Sequence, residues 1–169
     1  MSKRNNEILQ KLDAFIRKYY KNQLLKGAIL FLGLFLVLLL LVSGLEYLGR
    51  YTATVRTVLF FGSLGITLAG LVYYIIIPLS GLYRIRKTLS YEEAAYLIGS
   101  HFPEVSDKLL NTLQLMEQDA PEGTLLAAAI AQKSQELKPV PFTAAIKFKA
   151  NLRYAKWVAI PLVLLVLIL

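Results

Sequence analysis

The chain has 169 residues, 56% apolar and only 18% charged, with a net charge of +8, one histidine and no cysteine. That balance lies outside the soluble globular range and points to an integral membrane protein. The lack of cysteine excludes a disulfide framework, cysteine-ligated zinc and a thiol nucleophile, and the basic residues cluster beside apolar runs, which favours anionic lipid over nucleic acid as their counter-charge.

Residues 1–26 carry seven basic side chains (Lys3, Arg4, Lys11, Arg17, Lys18, Lys21, Lys26) against Glu7 and Asp13, a net +5. Ile8, Leu12, Phe15 and Tyr19 fall on one helical face, with Glu7, Lys11, Lys18 and Lys21 on another. This pattern describes either a basic amphipathic helix lying at the lipid headgroups or a cytoplasmic extension of the first transmembrane helix. Residues 27–45 follow, nineteen without a charge, long enough at helical rise to cross a bilayer. The run is longer than a signal-peptide core and lacks a small-x-small cleavage site, so it is expected to stay attached. Glu46, Tyr47, Gly49, Arg50 and Tyr51 form a short interfacial turn. Residues 57–83 are again uncharged and are closed by Pro78, Gly81, Arg84, Arg86 and Lys87, a second span that returns to the cytoplasm. Gly62, Gly65 and Ala69 offer a small-residue face for close packing of the two spans, or are glycines scattered as they commonly are in membrane helices.

From Thr88 the sequence becomes amphipathic and water-soluble. Ser90 and Glu93 have capping-box spacing, and Tyr91, Ala94, Ala95, Ile98 and Phe102 form an apolar stripe. Pro103, with Glu104 and Asp107 near the positive end of the dipole, starts a second helix that buries Val105, Leu109, Leu113 and Met116. A break over 118–123 and a cap at Thr124 introduce a third, alanine-rich helix that Pro139 and Pro141 end. Three such helices bury little surface, so they are expected to lean on one another, on the membrane or on a partner. Residues 142–156 alternate like a strand yet run straight into Trp157, which favours a helical or interfacial lead-in. Residues 157–169, preceded by Lys147, Lys149, Arg153 and Lys156, begin a third span. Thirteen residues reach about 20 Å against roughly 30 Å of hydrocarbon, so the lead-in completes the span or the chain is a truncated piece of a longer one.

The segments KLDAFIRKYYKNQLLKG, EYLG, YEEAAYLIGSHFPEVSDKLLNTLQL and PF followed by basic residues resemble the N-terminal region of large bacterial membrane proteins. These are catalogued as domain of unknown function four-one-seven-five, in the form seen in Bacteroidetes. The resemblance covers most of the chain and implies inner-membrane proteins with several N-terminal helices, a long helix-rich periplasmic portion and no established activity. It supplies no catalytic residue, and this chain departs from it by ending inside the third span.

His101 is the only histidine, and Glu92, Glu93, Glu104 and Asp107 lie near it, but helix capping and the helix dipole account for those carboxylates. No phosphate-binding glycine loop, nucleophile elbow or zinc-protease motif occurs, nor any ionisable residue within either uncharged run. No catalytic, cofactor-binding or metal residue is therefore assigned.

The expected fold class is all-α integral membrane. It comprises an N-terminal basic amphipathic cytoplasmic helix (1–26), a two-helix transmembrane hairpin (27–83), a small cytoplasmic helical segment (84–156) and the start of a third transmembrane helix (157–169). The expected function is a non-enzymatic, multi-span anchor and assembly module of a larger envelope protein in the bacterial inner membrane, N-terminus cytoplasmic. The alternative is a signalling or transport component whose cytoplasmic helices relay or gate. Expected contacts are the bilayer, with anionic lipid at the basic flanks, and a protein partner or second copy through the cytoplasmic helices.

Overall fold

A long apolar backbone with no water to bond must satisfy its own N–H and C=O groups, and the helix does so within one segment. The structure, a computed structural model, describes residues 5–83, 89–117, 125–137 and 139–168. Those residues are helical, with no strand among them. Helix α1 (Asn5–Gly49) is unbroken over 45 residues, about 68 Å at helical rise. It ends where Arg50 takes a left-handed φ of 43° and its N–H donates to the Glu46 carbonyl at 3.2 Å. Helix α2 (Ala53–Leu71) passes through a π-helical turn (Val72–Ile76) into α3 (Ile77–Leu82). Helices α4 (Tyr91–His101), α5 (Pro103–Glu117) and α6 (Leu125–Leu137) follow, then 3-10 turns at Phe142–Ala145 and Phe148–Tyr154, then α7 (Lys156–Ile168). Three stretches among the described residues, Glu7–Gly49, Ala53–Leu82 and Phe142–Leu167, are long and apolar enough to cross a membrane. The expected break over 118–123, the Thr124 cap and the basic closure at Arg84, Arg86 and Lys87 lie outside the described residues.

Contacts divide the chain into two compact units, Met1–Tyr19 with Arg86–Lys147, and Tyr20–Ile85 with Phe148–Leu169. In the first, the face of α1 carrying Ile8, Leu12, Phe15 and Ile16 is buried together with Ala94, Ala95 and Ile98 of α4, Leu109 and Leu113 of α5, Ile130 and Leu137 of α6, and Phe142. The amphipathic face of α1 is thus covered by protein, which favours the helical extension over a helix laid on headgroups. Helix α4 packs on α5 and α5 on α6. Lys18 Nζ donates to the Thr143 carbonyl at 2.8 Å, and Lys11 stands 5.5 Å from the Phe142 ring centroid, tying the 3-10 turn to the same helix. Two expected core members differ: Tyr91 is exposed, its hydroxyl donating to Asp13 Oδ1 at 3.0 Å, and Met116 is half-buried. Both sit at stripe ends, where helical periodicity carries a residue to the rim of the covered face.

The second unit is a helix hairpin with a third helix alongside. Tyr20 meets Gly81, Gly27 meets Tyr74 and Leu34 meets Gly70, so α2 and α3 run antiparallel to α1. Asn22 meets Asn151 and Gly33 meets Trp157, so α7 and its lead-in run parallel to α1. The close approaches differ from the small-residue face read in the sequence. A Cβ at Gly62 or Gly65 would meet nothing within 4 Å, whereas one at Gly27 would land on the Tyr74 carbonyl and one at Gly33 would lie 2.7 Å from the Trp157 carbonyl. Proline explains the choice. Pro78 and Pro161 lack the N–H that residues 74 and 157 would otherwise receive four positions on, and proline crowds that carbonyl outward. Both displaced carbonyls face glycines of α1, where Cα–H groups can meet them. The π-helical turn is the same effect, the Ile77 N–H reaching back five residues to the Val72 carbonyl just before Pro78.

Candidate membrane-interface site

The titratable residues around His101 do not converge. Glu93 is used in the capping box: its carboxylate accepts from the Ser90 N–H at 2.8 Å and its own N–H donates to Ser90 Oγ at 3.1 Å. His101 closes α4 with its ring edge-on to Phe102 at 4.8 Å, while Glu92, Glu104 and Asp107 are exposed. Among the described residues no three His, Cys, Asp or Glu side chains gather as a metal site.

A different cluster is assembled in the second unit, where the charged part of α1 gives way to its apolar run at Gly27. Asn151 is 4% exposed, and its amide donates to Asn22 Oδ1 at 2.8 Å and to the Asn22 carbonyl at 3.4 Å. A buried amide pair of this kind fastens the lead-in of α7 to α1 at one register. Fixing that register brings Tyr154 beneath Lys26, whose ammonium lies 4.9 Å from the ring centroid. Arg153 reaches the same ring at 4.9 Å and donates from Nη2 to the Tyr154 hydroxyl at 2.8 Å. Lys156 lies 5.8 Å from the Trp157 ring, which is half-exposed. Lys26 also borders a cavity of about 440 Å³ whose wall includes Gln23, Gly27, Leu30, Tyr73, Tyr74 and Pro78.

No family model, curated protein or solved structure matches the chain. Two cations share one phenol, and among the described residues no carboxylate pairs with either of them. Cation–π contacts orient such groups but leave their charge uncancelled. Aromatic rings with lysine and arginine at the end of an apolar helix are the arrangement that fixes helices at a lipid–water boundary. Lys26, Arg153, Lys156 and Trp157 were visible in the sequence as flanking residues. Asn22, Asn151 and the shared ring of Tyr154 were not, because their partners stand about 130 positions away and no local pattern marks them.

Proposed function

We propose that the chain is a non-enzymatic, multi-span anchor and assembly module of the bacterial inner membrane, with its N-terminus in the cytoplasm and serving a larger envelope protein. The observation that carries this reading is α1 itself, one unbroken helix in which Ile8, Leu12, Phe15 and Ile16 are buried and residues 27–45 form an uncharged run of spanning length. The direction is supported by charge. Net +5 precedes the first span and Lys147, Lys149, Arg153 and Lys156 precede the third, while Arg50 and Arg56 are the only basic residues between the first two spans. Parallel α1 and α7 with antiparallel α2 and α3 agree with that alternation. The Arg56 side chain is moreover paired with Glu46 at 3.3 Å, reducing its weight in orientation.

The signalling or transport alternative draws on the π-helical turn in the second span, since such turns often accompany functional sites. Proline at 78 is a sufficient local cause for it. The test is the purified chain in liposomes. The anchor reading expects no solute flux and no hydrolase, phosphatase or transferase turnover. Flux, or turnover that a substitution at Glu93, His101 or Asp107 abolishes, would overturn it.

A further inference from the structure

Lys26 joins the shared Tyr154 ring to the cavity beside Gly27, and that cavity has the composition of a lipid's polar shoulder. Gln23, Tyr73 and Tyr74 supply polar groups to its wall, and Leu30 and Ile77 supply apolar ones. Gly27 keeps the wall low on the α1 side, since any side chain there would fill the approach to Tyr74. Lys26 borders this hollow and shares the Tyr154 ring with Arg153, and neither cation has a carboxylate partner among the described residues. Leaving two positive charges together at a low-dielectric boundary costs free energy that an anion would relieve. The chemistry that satisfies every part at once is a phosphodiester on a glycerol carrying acyl chains, because a free anion would leave the apolar wall wet.

We propose that Lys26, Arg153 and the cavity that Lys26 borders form a saturable site for one anionic phospholipid. The phosphodiester takes charge-assisted hydrogen bonds from the Lys26 ammonium and the Arg153 guanidinium, and the glycerol end occupies the hollow lined by Gln23, Tyr73 and Tyr74. Tyr154 holds the two cations in register from below. This site deepens the anchor reading and rests on it: beyond a diffuse attraction between basic flanks and a charged surface, it gives the chain a preferred lipid at a fixed position. Lys147 and Lys149, nearby in sequence and exposed, provide the comparison for a merely diffuse effect.

Trp157, the only tryptophan, is a built-in reporter three residues beyond Tyr154. The whole chain in nanodiscs of zwitterionic lipid should show Trp157 quenching by a minor fraction of brominated phosphatidylglycerol. That quenching should saturate at low fraction and exceed the effect of brominated phosphatidylcholine. Arg153→Gln and Lys26→Gln should each weaken the apparent affinity about fivefold. Lys26→Arg should retain it, as should the double variant Lys147→Gln, Lys149→Gln. Arg153 is exposed, so its variant gives the same reading if the change at Lys26 impairs folding. Equal quenching by the two lipids, or an equal loss in the Lys147 and Lys149 variant, would overturn the site while leaving the anchor intact. Displacement of the lipid by inorganic phosphate at matched ionic strength would show a site for a soluble anion and overturn the lipid assignment. Quenching by neither lipid would mean that Trp157 is not in the bilayer, and would remove the anchor reading together with the site.

Discussion

Replacing Gly27 by alanine sets two effects of known sign against each other. In a helix interior alanine is favoured over glycine by about 1 kcal/mol, so a glycine facing open space should gain from the change. Gly62 and Gly65 are such positions. At Gly27 the added Cβ would overlap the Tyr74 carbonyl oxygen and lie 3.0 Å from its carbon and 3.4 Å from the Tyr74 Cα. Every one of those atoms is backbone, so no rotamer change relieves the overlap and the helices must part. Overpacking of this kind costs about 1–3 kcal/mol, which outweighs the propensity gain. Gly27→Ala should therefore lie about 1–3 kcal/mol below Gly62→Ala or Gly65→Ala on one stability scale, since the propensity gain is common to all three. Unfolding by sodium dodecyl sulfate in mixed micelles, followed by Trp157 emission and helical circular dichroism, provides that scale. If Gly27→Ala proved as stable as Gly62→Ala, the close approach of α1 to the π-helical turn would be wrong, and with it the role assigned to Pro78.

The first unit allows three further tests. Phe142, 2% exposed, is one of the largest fully buried side chains, so Phe142→Ala should cost about 3–5 kcal/mol and open residues 125–147 to protease before the spans unfold. Leu109 is fully buried, and Leu109→Asp would place an unpaired carboxylate in an apolar core; the yield of folded protein in detergent should fall sharply, while Leu109→Met should recover most of it. Ser90→Ala removes the acceptor for the Glu93 N–H and should lower the unit's stability by about 1 kcal/mol, an effect that Ser90→Asp should largely avoid, as seen in thermal melts.

Much of the helix inventory was legible because its causes are local. The capping box at Ser90 and Glu93, the start at Pro103 and the stripe of Ile8, Leu12 and Phe15 are each set by neighbours within a turn or two, and the structure places them as read. Ile16 was missed because it flanks that stripe by one residue, and only tertiary cover within the first unit widens the buried face enough to include it. Residues 142–156 alternate with a period close to two, yet the helical lead-in favoured there is what forms, as 3-10 turns whose three-residue repeat tolerates such alternation over short lengths. Of the two readings of Gly62 and Gly65, the structure agrees with scattered glycines rather than a packing face. Spacing on α2 says that a close approach is permitted, but what made one necessary was a carbonyl displaced by Pro78 or Pro161, and the glycines that meet those carbonyls lie on α1. The candidate site was legible only in its flanking cations and Trp157, since the pairing of Lys26 with Tyr154 depends on the Asn22–Asn151 register, which no single stretch of sequence contains.

Orientation in the bilayer is the central claim, and thiol labelling tests it most directly because the chain has no cysteine of its own. Tyr47, 85% exposed beyond the first span, and Tyr96, 70% exposed on α4, accept a cysteine without disturbing a core. In intact cells stripped of their outer membrane, a membrane-impermeant maleimide should label Tyr47→Cys at once and Tyr96→Cys only after the inner membrane is permeabilised. Labelling of Tyr96→Cys in sealed cells, with Tyr47→Cys protected, would invert the topology and contradict the account.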